Sequence, residues 1–263
     1  MKLTNANTIK LAKPILFISV ASFSMVAFTY LTPPILDKSL EQSIIKIFNL
    51  PGDFSIYIFR FLLCFVLLGV LPFIIAIAFK EHPKNMGFIF PVWFFKSKLF
   101  FILLIICIFI GIASAFFPDL SSYYPYSHTL TEYIKNQGIH FLFLHYLLYF
   151  FLYYLPWEFF FRGFLIFPFL KYHVSKNKQN TLLDKSPSEL IPLLAIILFQ
   201  TIPSTLLHFG HPFSEVISAI PAGIIFGLIA YKTRSIIPSL IFHSLIGISL
   251  DTFIILRGLR IIP

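Results

Sequence analysis

The chain has 263 residues, 58% of them apolar or aromatic and only 12% charged, with 35 phenylalanines and a mean hydropathy of +0.87. A soluble globule of this size would lack the polar surface to cover its exterior, so the composition excludes a soluble domain and indicates an integral membrane protein. The net charge of +9 sits in short loops between apolar runs, where membrane topology explains it, and nucleic acid is not an expected partner.

About 20 apolar residues carry a helix across the hydrocarbon layer. Seven runs meet that length, roughly Pro14–Leu31, Ile56–Phe79, Leu99–Phe117, Phe141–Leu170, Leu190–Phe209, Val216–Tyr231 and Ile236–Leu256. They predict an all-α fold, a polytopic transmembrane helical bundle of about seven spans. The first run follows Lys2, Lys10 and Lys13 as a signal peptide would, but its apolar stretch is too long for a signal sequence and reads as a span. The fourth run is long and contains Pro156, which predicts a kinked or extended helix. Alternate loops carry thirteen basic residues on one side and five on the other, so the positive-inside rule places the N-terminus in the cytoplasm and the C-terminus outside. Thr32–Ser55 and Pro118–His140 then lie outside, and the polar stretch Tyr172–Glu189 reads as a flexible cytoplasmic loop. The chain divides into a three-span region, 1–140, and a four-span core, 141–263, within one integrated membrane domain. Cys64 and Cys107 fall inside apolar runs, where thiols behave as small hydrophobes. The sequence holds no internal repeat, GxGxxG, P-loop or HExxH.

A charge at the bilayer centre costs at least about 2.5–3.5 kcal/mol, so ionisable residues inside spans need a partner or a task. Glu158 and Arg162 lie in Pro156-Trp-Glu-Phe-Phe-Phe-Arg-Gly163, four residues apart and on one helix face. His208 and His211 close the fifth span, and His243 and Asp251 lie in the seventh. Each has an ordinary explanation alone. Glu158 and Arg162 can form a structural ion pair, with Arg162 snorkelling to the headgroups, and a single histidine can be a packing residue. His211 reads as solvated beside its loop, and Asp251 as lying near the outer interface. Glu158, His208 and His243 together favour a shared functional site. Such a set suits water activation, with a shielded carboxylate as base, one imidazole relaying the proton and a second stabilising an oxyanion. It could instead hold a divalent metal, a weaker reading without paired ligands on one helix; no cofactor is expected.

The stretches Trp157-Glu-Phe-Phe-Phe-Arg-Gly-Phe-Leu165, Leu207-His208, and Ala222-Gly-Ile-Ile-Phe-Gly-Leu-Ile-Ala-Tyr-Lys-Thr-Arg-Ser-Ile-Ile-Pro-Ser-Leu-Ile-Phe-His243 together resemble the CPBP family. These are the CAAX-prenyl-protease and bacteriocin-processing (Abi) intramembrane endopeptidases, and the resemblance covers about residues 145–252. It implies a helical bundle with a catalytic cavity inside the membrane, and assigns His208 to water activation, His243 to the oxyanion and Arg162 to the first motif. Three positions depart from the family pattern. Trp157 stands where the first of two glutamates belongs, leaving Glu158; Ser204 replaces a phenylalanine; and Gly247 replaces the asparagine that accompanies the last histidine.

The expected function is therefore an intramembrane endopeptidase that cleaves a protein or peptide substrate, prenylated or not, with Glu158, His208, His243 and Arg162 as catalytic residues. Trp157, Gly247 and Asp251 are weaker candidates for substrate or oxyanion support. The departures leave two alternatives, an inactive relative serving as membrane scaffold or immunity-type protein, and a transporter using the same polar groups. The family's distribution points to a bacterial plasma membrane, with lipid as the surrounding partner. One geometric tension remains. At 1.5 Å per residue, Glu158 and His243 should lie some 10–15 Å deeper toward the cytoplasm than His208.

Overall fold

The computed structural model describes residues 5–32, 38–50, 52–173 and 187–262, and among these there are helices and no strands. The polar stretch 174–186, read from sequence as a loop, lies outside the described residues. In chain order the principal helices are α1 (Asn5–Leu31), α2 (Lys38–Phe48), α3 (Asp53–Ala78), α4 (Lys98–Ser114), α5 (Pro118–Tyr123), α6 (Leu130–Gln137), α7 (His140–Leu170), α8 (Pro187–Leu206), α9 (Phe213–Thr233) and α10 (Ile237–Gly258). Six of them, α1, α3 and α7 to α10, are long and apolar enough to cross a membrane. The third expected run forms α4, a shorter apolar helix of 17 residues. It stops at Ser114, and Pro118 begins a new helix, α5, four residues on.

The centre of the bundle is α7. Over its most apolar stretch 78% of residues are buried, against 22–39% in the other five long helices, whose bare faces present Phe23, Ile74, Ile191 and Ile202 to lipid. Pro156, which predicted a kink, lies between two π-helical turns, Tyr149–Tyr154 and Phe159–Phe164. A π turn inserts an extra residue per turn and shifts the register of everything beyond it. One continuous core runs from Phe17 on α1 through Tyr57, Phe61 and Leu68 on α3 to the aromatic face of α7 and Ile255 on α10. Gly69 permits α3 to pack closely on α7, since a Cβ there would stand 3.0 Å from Cβ of Pro156.

Polar ties fix the two ends. At the lysine-rich end, Lys13 Nζ pairs with Glu81 at 2.5 Å and donates to the Phe79 carbonyl at 3.1 Å. There the Lys232-Thr-Arg-Ser235 turn reverses the chain. Arg234 takes a left-handed conformation that ends α9, and its N–H reaches the Ala230 carbonyl. Ser235 donates to the Ile89 carbonyl at 2.5 Å and accepts from the Ile237 N–H at 3.0 Å, starting α10. At the opposite end the segment 118–137 forms a roof held by two carboxylates. Asp53 accepts from the Thr129 N–H at 2.9 Å, and from the Ser127 and Thr129 hydroxyls. Asp119 accepts from the Ser214 hydroxyl at 2.7 Å, and this bond holds its carboxyl below the usual range.

Ser235→Ala removes both bonds of that hydroxyl and leaves the Ile89 carbonyl without its donor. A loss of about 1–2 kcal/mol is expected, measured as a lower unfolding temperature in detergent. An unchanged transition would contradict the role given to this turn.

Candidate active site

A cavity of about 440 Å³ opens between α4, α9 and α10, with α7 behind it and the roof at one end. His208, Glu215, His243, Tyr154 and Gly247 all line it, and the rest of its wall is largely apolar, including Leu103, Ile106, Phe226 and Ile246.

Glu158 is fully buried behind this wall. Its Oε1 accepts from His243 Nδ1 at 2.7 Å, and its Oε2 lies 3.2 Å from Arg162 Nε. A carboxylate accepts only, so His243 carries its proton on Nδ1 and turns Nε2 toward the cavity. Arg162 is buried as well, its guanidinium between the Phe161 and Phe226 rings. Glu158 thus joins α7 to α10 and orients His243; it does not stand beside His208.

The carboxylate beside His208 is Glu215, at the start of α9. His208 Nδ1 donates to the Ser204 carbonyl at 2.7 Å, and Nε2 lies 3.7 Å from Glu215 Oε1. Tyr124 donates to the Glu215 carboxylate at 2.9 Å; burial and the Glu215 charge both push the Tyr124 phenol well above its usual range, keeping it a donor. His211 Nδ1 donates to Oε1 at 3.0 Å, while Arg60 donates to His211 Nε2 at 2.9 Å and lies over the Tyr126 ring at 4.5 Å. Arginine only donates, so its bond fixes the His211 proton on Nδ1, facing Glu215.

His211, expected to be solvated, is therefore buried within this chain, its side chain 4% exposed, because Arg60 and the tyrosines of the roof enclose it. Glu215 escaped sequence reasoning because an acidic residue in the first turn of a helix is ordinary dipole complementarity. The available signal was the spacing His211-x-x-x-Glu215 close after His208.

The depth difference expected between Glu158 and His208 is not found. The α8–α9 turn lies beneath the roof, in contact with α7, so the Trp157 ring packs edge-on against His208 with centroids 5.2 Å apart while its neighbour Glu158 holds His243. Trp157 also stacks on Tyr153 at 5.6 Å, filling with apolar surface the place beside His208. Asp251 is buried, not interfacial, because it has a partner. His145 Nε2 donates to it at 3.1 Å, and Tyr57 donates to His145 Nδ1 at 2.5 Å. This relay ties α3, α7 and α10, and none of its members lines the cavity.

Glu158→Ala strands the Arg162 guanidinium without its carboxylate, with an expected cost of about 3–5 kcal/mol. Glu158→Ala/Arg162→Met should recover much of that loss, read as unfolding temperature in detergent. Equal transitions for the single and double variants would contradict a dominant Glu158–Arg162 pair.

Residues 139–249 match the family model described as type II CAAX prenyl endopeptidase Rce1-like. No curated protein and no solved structure matches the chain. The matched segment takes in α7, α8 and α9, the part of α10 that carries His243 and Gly247, and every cavity-lining histidine. Over residues 139–249, under half of the chain, the sequence is therefore similar to the Rce1-like type II CAAX prenyl endopeptidases.

Proposed function

We propose that the chain is an intramembrane endopeptidase that activates its water with His208 and Glu215 and stabilises the oxyanion with His243. The supporting observation is the opposition of two acceptors. With Nδ1–H committed to the Ser204 carbonyl, a neutral His208 presents a lone pair on Nε2, and Glu215 Oε1 faces it at 3.7 Å. One water between them donates a hydrogen to each. As its oxygen attacks the peptide carbonyl, its proton passes to His208 Nε2, and the Glu215 carboxylate stabilises the imidazolium that forms. The oxyanion is met by His243, which donates from Nε2 as the imidazolium while Glu158 accepts from its Nδ1–H. When the carbon–nitrogen bond breaks, His208 returns the proton to the leaving amine. General base catalysis of this kind contributes on the order of 10²–10⁴ in rate.

Glu158 and Arg162 act in this scheme as positioning residues for His243. Trp157 closes the site on the side where the family carries a glutamate, and the carboxylate is supplied by α9. The long apolar wall suits an alkyl chain beside the scissile bond, so the proposed substrate is a membrane-anchored peptide with a prenylated C-terminus, in a bacterial plasma membrane. Trp157 itself favours a second reading, an inactive relative that binds such a peptide without cutting it.

The test uses the full chain in liposomes and a quenched fluorescent peptide ending in a farnesylcysteine tripeptide. His208→Ala and Glu215→Gln should each lower kcat by about 10² or more while the protein remains folded. A Glu215→Gln variant that cleaves at the wild-type rate removes this mechanism. Wild-type protein that binds the peptide and leaves it intact selects the inactive relative.

A further inference from the structure

We infer that the Tyr154 hydroxyl is a second donor to the oxyanion, occupying the space that Gly247 leaves open; this rests on reading the cavity as a peptidase site. Gly247 lies four residues after His243 on α10, hence on the same helix face one turn along. A Cβ built there would collide with the Tyr154 hydroxyl, and would stand 3.5 Å from the Tyr149 hydroxyl. The first atom of any side chain at 247 would therefore share its place with the Tyr154 oxygen. A polar group reaches that point across the helix interface, from α7, and the missing side chain on α10 is what admits it.

Three further observations make this a donor site as well as a packing solution. Tyr154 and Gly247 line the same cavity as His243 and His208. The Tyr154 ring meets the His243 ring edge-to-face, with centroids 4.9 Å apart, so the hydroxyl is held on the flank of the imidazole assigned to the oxyanion. The ring is fixed, since Tyr149 packs against it at 4.4 Å and Tyr153 at 5.8 Å. A phenolic O–H fixed in this way in an apolar cavity is a preorganised donor; it stabilises developing charge without reorganising when the reaction occurs. Tyr154 forms no covalent bond and keeps its proton. It donates to the oxyanion alongside His243 Nε2–H and is released when the tetrahedral intermediate collapses.

The experiment compares wild type, His208→Ala, Tyr154→Phe, Gly247→Ala and Tyr154→Phe/Gly247→Ala in liposomes, with the quenched farnesylated peptide. Tyr154→Phe keeps the ring contacts and should lower kcat about 10²–10³-fold, the usual effect of removing one oxyanion donor, with KM unchanged. Gly247→Ala should also lower kcat, because its methyl displaces the hydroxyl, and the double variant should be no slower than Tyr154→Phe alone. Tyr154→Phe at the wild-type kcat, or additive losses in the double variant, overturns the assignment; with His208→Ala inactive, the peptidase reading then stands. A wild-type protein without cleavage overturns both.

Discussion

A carboxylate buried among apolar helices must be paired, and the arrangement around Glu158 follows from that requirement. Its two oxygens are taken by Arg162 on its own helix and by His243 on α10. The first contact neutralises the charge and the second fixes a neighbouring helix in rotation and depth. Breaking such a buried pair from one side is far costlier than never having made it, so the register of α7 against α10 is tightly set. The cavity lies just in front of this clamp.

The functional groups are arranged in two layers. Behind the wall, Glu158 and Arg162 at one level and the Tyr57–His145–Asp251 relay at another hold α3, α7 and α10 together through polar contacts that the lipid cannot supply. In the cavity, His208, Glu215, His243 and Tyr154 present atoms to whatever enters. Two substitutions in the family motifs, Trp157 and Gly247, are each matched by a polar group from another helix, Glu215 from α9 and Tyr154 from α7. On the proposed reading, each polar group comes from a helix other than the one that carries the motif position. The roof makes the first exchange feasible, since Asp119, Tyr124 and Arg60 bring α5, α9 and α3 together around Glu215 and His211.

Much of this was legible in the sequence. Apolar runs of helical length, a proline inside the longest, and charges at membrane depth gave the helical bundle, and the order of Glu158, Arg162, His208 and His243 pointed to the family. What stayed hidden depends on contacts between distant segments. Sequence spacing places Glu158 and Arg162 on one face, yet says nothing of which imidazole faces the other oxygen. Depth counted along straight helices misplaces His208, because the counting assumes that every span ends at the membrane surface, whereas the α8–α9 turn ends beneath a roof. Glu215 resembles an ordinary helix start, and His211 an ordinary loop residue, until Arg60 arrives from 151 positions away. Tyr154 is one of many aromatic residues on α7, distinguished only by the glycine that it faces.

The most direct measurement of where the reaction takes place is an experimental structure of the protein with a non-cleavable phosphonate analogue of a farnesylated peptide. The tetrahedral group is expected in the cavity. One phosphonate oxygen, protonated in place of the attacking water, should donate to His208 Nε2 or the Glu215 carboxylate, and another should face His243 Nε2. A phosphonate bound against Glu158, or seated away from His208 and Glu215, would contradict the assignment of the water-activating pair.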